Sequence, residues 1–156
     1  MTTNPEHTQR IDRLTGRLRQ ASAVTPELVF AVATDLCTRL PVLAKAGKAD
    51  HIDRLIAAGA WSDAALALME IELPAWKLRR LVHEDGEWFC SLSKELNLPL
   101  EIDDTADARH EILPLAILCA FAEARRRSGA TRETQSTTAP RNWLALADTV
   151  CCDNFA

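Results

Sequence analysis

The sequence contains no tyrosine and only five glycines among its 156 residues. With 47% apolar and 26% charged residues and seven prolines, the composition excludes collagen-like and disordered chains and indicates a globular protein. No run approaches the roughly 20 apolar residues that a membrane-spanning helix needs, and residues 1–23 lack the apolar stretch of a secretory signal peptide. We therefore expect a cytoplasmic protein that has no contact with a membrane.

Patterns typical of metal sites and of disulfide frameworks are also missing. The chain has five cysteines, an odd number, and none of them forms a CxxC pair. Cys37, Cys90 and Cys119 each lie in an apolar segment, where a free thiol behaves as a small apolar side chain. No histidine has a second histidine four residues away, which a chelating helix face requires. We expect no disulfide, no metal and no cofactor.

The net charge of −4 gives the chain no long-range attraction to phosphate groups. Nucleic acid is therefore disfavoured as a partner. A length of 156 residues is enough for one domain with its own core.

Apolar residues recur at helical spacing in several segments. Thr25, Pro26 and Glu27 together form a typical helix start. The apolar segment 63–73 predicts a central buried helix, which Ser62 can cap and which ends before Pro74. A late helix is expected around residues 113–127.

After Pro74 the apolar period changes from 3.6 to 2. Asp85 and Gly86 then separate two strand-like runs, which is a strong signal for a β-hairpin with a type I′ turn. With these two residues in the loop, the register pairs His83 with Trp88, Leu81 with Cys90 and Arg79 with Leu92. These six residues are then expected to share one face.

The fold class expected is mainly α, or α+β by strict label: a helical bundle with one antiparallel β-hairpin near residues 76–93. Residues 97–105 are expected to form a loop, after which Asp104 and Asp107 are expected to cap the late helix. Residues 1–127 would then form a single domain. Residues 128–140, rich in serine and threonine, predict a linker, and residues 141–156 an apolar C-terminal tail.

Part of the chain resembles a known family. The residues that carry the resemblance are Trp76, Gly86-Glu87-Trp88, Cys90-Ser91-Leu92-Ser93, Leu98-Pro99 and Leu115-Ala116-Ile117-Leu118. This block, about the middle half of the chain, is similar to a family of small uncharacterised alphaproteobacterial proteins. The resemblance implies a bacterial origin and carries no activity, substrate or partner with it.

Two surfaces are candidates for binding. The first is the hairpin face, and the second is the C-terminal tail with Trp143 and Leu144. The hairpin candidates are Trp76, Arg79, Arg80, His83, Trp88 and Cys90. Its basic and aromatic residues suit an acidic peptide or a phosphate group, or they are simply the solvated face of a ribbon. Because adjacent strand residues point to opposite faces, one of Arg79 and Arg80 is expected to face inward and to need a carboxylate.

The function that fits this pattern best is non-catalytic. Four tryptophans in a tyrosine-free chain favour a protein-interaction or regulatory module, because tryptophan concentrates binding energy in small patches. A protein partner is expected, and a homodimer is compatible with an apolar tail. Two alternatives stay open: a winged-helix-like DNA-binding regulator with 63–73 as recognition helix, and a small enzyme with Cys90 and His83 as a catalytic pair.

Overall fold

A computed structural model describes residues 5–137, with side chains for residues 5–129. As predicted, this part of the chain is mainly helical, with an antiparallel sheet. The elements in chain order are α1 (Pro5–Gln20), α2 (Pro26–Leu36), α3 (Leu40–Lys45), α4 (Asp50–Ala57), α5 (Trp61–Glu72), β1 (Lys77–Glu84), β2 (Glu87–Ser93), β3 (Ala106–His110) and α6 (Leu113–Thr137).

The residue predicted to cap the start of the helix is confirmed for α2 and wrong for α5. Thr25 accepts a hydrogen bond from the Leu28 N–H at 3.2 Å, with Pro26 at the first helical position. At α5 the cap is Ala60 instead of Ser62, and no side chain caps this end. The helix begins two residues earlier than predicted, because the Ala64 N–H donates to the carbonyl of Ala60 at 2.9 Å.

The hairpin has the predicted turn. Asp85 and Gly86 have φ angles of 55° and 82°, which a type I′ turn requires of both loop residues. His83 faces Trp88 as predicted, and the next predicted pair, Leu81 and Cys90, is also present. The third pair is wrong: Leu78, rather than Arg79, faces Leu92. A β-bulge between Leu78 and Arg80 shifts the register and takes Arg79 out of the ladder.

The segment expected to begin the late helix is a third strand. β3 pairs with β2, so the sheet order is β1-β2-β3. Asp107 lies within this strand opposite Ser91, and Asp104 forms an ion pair with Arg127, so neither caps a helix. Ala106 of this strand lies opposite Leu92 and is fully buried, so the strand contributes to the core.

Helix α6 forms the centre of the core. Phe121 and Leu118 are fully buried in it, and the helix packs on the sheet and on α1 and α5. It continues to Thr137, so residues 128–137 of the segment expected to be a linker are helical. The Trp76 indole N–H donates to the Ser128 hydroxyl at 2.9 Å, which places this part of α6 against the start of the sheet.

Residues 138–140 and the predicted tail, with Trp143 and Leu144, lie outside the described part of the chain. Among the described helices, none has the length and the apolar character needed to cross a membrane.

Candidate functional site

The six hairpin residues predicted as binding candidates are not brought together on one surface. Trp76 and Cys90 are buried in the core, and Arg79 is largely buried beside Asp103. Arg80 and His83 are exposed, and the His83 ring lies 5.0 Å from that of the half-buried Trp88. The hairpin therefore offers no continuous basic and aromatic face.

Cys90 is a structural residue in this arrangement. Its side chain is fully buried, and burial, reinforced by the Asp107 carboxylate, raises the pKa of the thiol to about 12. At neutral pH it is therefore a thiol, which is a poor nucleophile. His83, two positions along β1 from the register partner of Cys90, contacts Trp88 at the exposed end of the hairpin. The geometry does not favour a catalytic Cys90–His83 pair.

The arrangement of α5 does not favour DNA binding. Ala64, Leu68 and Met69 are buried, and the helix packs between α4 and α6. Its exposed side chains include the acidic Asp63 and Glu70, which repel phosphate.

The outer face of the sheet holds a cluster of mixed charge. The guanidinium carbons of Arg80 and Arg109 lie 5.8 and 4.9 Å from the centre of the Phe89 ring. A shallow cavity of about 350 Å³ opens beside this ring, and Arg109 and Asp107 both line it. Because Arg80 forms an ion pair with Glu84 at 3.4 Å, carboxylates accompany the cations on this face. This face of mixed charge therefore does not favour the binding of a phosphate group or an acidic peptide.

Arg79 binds the connection between β2 and β3 and fixes the surface that this connection forms. The β-bulge directs its side chain toward the connection between β2 and β3. There its guanidinium forms an ion pair with Asp103 at 2.6 Å, and the two side chains are 15% and 2% exposed. This confirms that one of the two adjacent arginines faces inward and binds a carboxylate.

The same guanidinium holds the backbone of the connection. It donates to the carbonyl of Glu95 at 3.3 Å and to that of Leu98 at 2.7 Å. Two hydrogen-bonded turns precede and follow Pro99: the Leu98 N–H donates to Glu95, and the Asp103 N–H donates to Pro99. We call residues 94–105, fixed around Arg79 in this way, the anchored loop. It is a compact surface loop of the Ω type.

Four large apolar side chains of the anchored loop face solvent. Their exposed fractions in the described part of the chain are 49% for Leu96, 37% for Leu98, 58% for Leu100 and 68% for Ile102. Full burial of such a side chain is worth about 1.5–3 kcal/mol. Four of them lie within seven residues on a loop that is already fixed, which is a dense group of exposed apolar side chains.

The charged residues around these apolar side chains are mainly acidic; Lys94, at the start of the loop, has its ammonium 5.0 Å from the centre of the Trp76 ring. Glu95 and Glu101 are exposed, and neither carboxylate forms an ion pair with another residue of the described range. Asp104 is exposed as well, although it is paired with Arg127. The surface therefore consists of an apolar centre with an acidic rim.

Sequence reasoning missed this surface, although a signal was present. Leu96, Leu98, Leu100 and Ile102 alternate strictly with other residues, a pattern that is unusual outside a strand. Pro99 within the run excludes an interior strand. An alternating apolar run that is not a strand cannot bury one face by pairing, and this indicates exposed apolar residues.

Among residues 5–129, no three His, Cys, Asp or Glu side chains are grouped closely enough to hold a metal ion.

Comparison of the chain with protein-family models, with curated proteins and with solved structures finds no match. The resemblance to the alphaproteobacterial family stays a prediction.

Proposed function

We propose that this chain is a non-catalytic protein-interaction module of the bacterial cytoplasm and that it binds its partner through the anchored loop. The observation that carries the proposal is the set of exposed side chains Leu96, Leu98, Leu100 and Ile102 on a loop fixed by Arg79. Exposed apolar residues scattered singly need no explanation, whereas a dense group on a rigid frame is typical of interfaces.

The fixed backbone of the loop favours tight binding. A mobile loop has to be ordered when it binds, at a cost in free energy for each immobilised side chain and backbone segment. Here the guanidinium of Arg79 already joins the two turns: it binds the carbonyls of Glu95 and Leu98 in the first turn and the carboxylate of Asp103 in the second. The loop is therefore preorganised, and burial of its apolar side chains contributes directly to affinity.

The charges define the chemistry of the partner. Glu95 and Glu101 border the apolar side chains and would be repelled by an anionic lipid surface. A protein surface with apolar residues bordered by lysine or arginine matches both parts of the loop. An anionic membrane surface does not match the acidic border of the loop.

The test compares two variants of the full chain. Leu100→Ser with Ile102→Ser removes the centre of the loop surface, and Phe30→Ser removes an equally exposed apolar side chain on α2. Partners captured from bacterial lysate are identified, purified and measured against each variant by calorimetry. We expect the loop variant to weaken binding about tenfold or more, and the α2 variant to leave it unchanged.

Two outcomes contradict the proposal. One is a reconstituted partner that binds both variants with equal affinity. The other is binding of the wild-type chain to vesicles of anionic lipid that is lost in the loop variant, which would identify the loop as a membrane contact.

A further inference from the structure

The chain itself carries a surface with the chemistry that the anchored loop requires. Residues 39–48 contain three cations and no acidic residue. Within this segment Val42 is 69% exposed, and Pro41, Ala44 and Ala46 are exposed too. We call residues 39–48, which include α3, the basic segment.

We propose that the anchored loop of one copy binds the basic segment of a second copy, so that the protein assembles head to tail. The inference rests on the proposed function and names the partner within it. The cations Arg39, Lys45 and Lys48 form no ion pair with any described carboxylate, so they are available to Glu95 and Glu101 of another copy.

The basic segment is as firmly held as the loop. The buried carboxylate of Glu72 accepts hydrogen bonds from the N–H groups of Thr38, Arg39 and Leu40 at 2.9, 2.6 and 2.8 Å. These bonds satisfy backbone donors at the start of α3 and fix its direction. Neither surface has to be ordered when the two meet.

The two surfaces lie on different sides of α6. The Thr38 hydroxyl, next to the basic segment, accepts a hydrogen bond from Arg125 at 3.4 Å. Asp104 of the anchored loop is bound by Arg127. Residues two positions apart on a helix point about 200° apart around its axis. One copy can therefore use both surfaces at once.

This arrangement determines the kind of assembly. The contact joins two different patches, so each added copy leaves one loop and one basic segment free. A head-to-tail contact yields an open chain or a closed ring, whereas a twofold dimer would join identical patches. We expect the mean mass to rise with concentration above the 17.2 kDa of one copy.

The experiment measures mass by sedimentation and light scattering on purified full-length protein. Two charge-reversal variants are compared. The loop-charge variant carries Glu95→Lys and Glu101→Lys, and the segment-charge variant carries Lys45→Glu and Lys48→Glu. Each variant brings like charges together at the contact, and we expect the dissociation constant of self-association to rise about tenfold or more. The matched control is Arg13→Glu, an exposed charge reversal on α1 that should change nothing.

The decisive measurement is an equimolar mixture of the two variants. Each loop then meets a segment of opposite charge, so a head-to-tail contact predicts that the mixture assembles although each variant alone does not. A wild-type chain that stays monomeric at every concentration overturns the inference, as does a mixture that stays dissociated.

These failures differ from those of the proposed function. If the wild type is monomeric but a purified heterologous partner binds in a loop-dependent way, the loop is an interaction surface and the second copy is not its partner. If neither the Glu95→Lys, Glu101→Lys variant nor the Leu100→Ser, Ile102→Ser variant changes self-association or partner binding, both proposals are wrong.

Discussion

The Arg79 guanidinium and the Asp103 carboxylate meet at 2.6 Å with almost no exposure of the carboxylate, and this pair joins the edge strand β1 to the loop that connects β2 and β3. Arg79 is the bulged residue of β1. A local irregularity of the hairpin thus determines the shape of a surface far along the sequence.

Replacement of Arg79 by methionine should destabilise the fold strongly. The substitution leaves the buried carboxylate of Asp103 without a partner and frees the carbonyls of Glu95 and Leu98. We expect the free energy of unfolding to fall by about 3 kcal/mol, measured by chemical denaturation.

The neighbouring Arg80→Met is the control for this prediction. Its exposed ion pair with Glu84 should contribute less than about 1 kcal/mol. Equal losses in the two variants would show that Arg79 does not anchor the loop.

Replacement of Glu72 by glutamine should loosen the start of α3. The glutamine has one oxygen instead of two for the N–H groups of Thr38, Arg39 and Leu40, and it brings donors into a site that needs acceptors. We expect a loss of about 2 kcal/mol in the free energy of unfolding. Hydrogen exchange of the amides at 38–40 should accelerate.

Glu70→Gln provides the comparison, because Glu70 is exposed on the same helix. Unchanged amide exchange in Glu72→Gln would contradict the capping role that we assign to Glu72.

The two glycines at positions 86 and 16 should respond to alanine in opposite directions. Gly86 has a φ of 82°, which alanine adopts only with strain, although open space surrounds the position. Gly86→Ala should therefore destabilise the protein by about 1 kcal/mol.

Gly16 lies within α1, and an added Cβ would meet no atom within 4 Å. Gly16→Ala should stabilise the protein by about 0.5–1 kcal/mol because alanine has the better helix propensity. Thermal unfolding of both variants measures the two changes, and the same sign for both would be inconsistent with the turn geometry.

Alkaline pH should destabilise the fold through its buried thiols. Burial raises the pKa of Cys37 and Cys90 from the ordinary value of 9.0 to about 12, and that of Cys119 to about 11. Above pH 9 the unfolded chain releases these protons while the folded chain keeps them, so unfolding becomes more favourable as pH rises. The stabilising contribution is complete below pH 9 and is lost as pH rises toward 11–12.

Cys90→Ala tests this linkage. Its free energy of unfolding should fall less steeply with pH above 9, by about 1.4 kcal/mol per pH unit. The comparison uses the slope and so does not depend on the small cavity that alanine leaves. Parallel slopes for the variant and the wild type would contradict the assignment of a protonated buried thiol.

The parts of the fold that depend on local geometry could be predicted from the sequence. Asp85 and Gly86 require a tight turn whatever surrounds them, and the turn determines the register of the first residue pairs. The start of α2 at Pro26 likewise depends on its own residues. In both cases the interactions that decide the structure lie within a few residues of sequence.

The parts that depend on distant partners could not be predicted. β3 contains two charged residues among five and becomes a strand by pairing with β2. The β-bulge leaves no pattern in residues 77–84, and the carboxylate that Arg79 binds there, Asp103, lies far along the chain. The anchored loop follows from both, which explains why the sequence indicated the hairpin face instead.

The anchored loop separates the residues that fix its shape from the residues that face solvent. Its frame depends on one guanidinium and on backbone carbonyls, while Leu96, Leu100 and Ile102 extend away from the core. Substitutions at these exposed positions cost the fold little, because they remove no buried contact. A few point mutations can therefore change the chemistry that the loop presents to solvent without an unfolded intermediate, which makes it a natural position for divergence between related chains and for the engineering of binders.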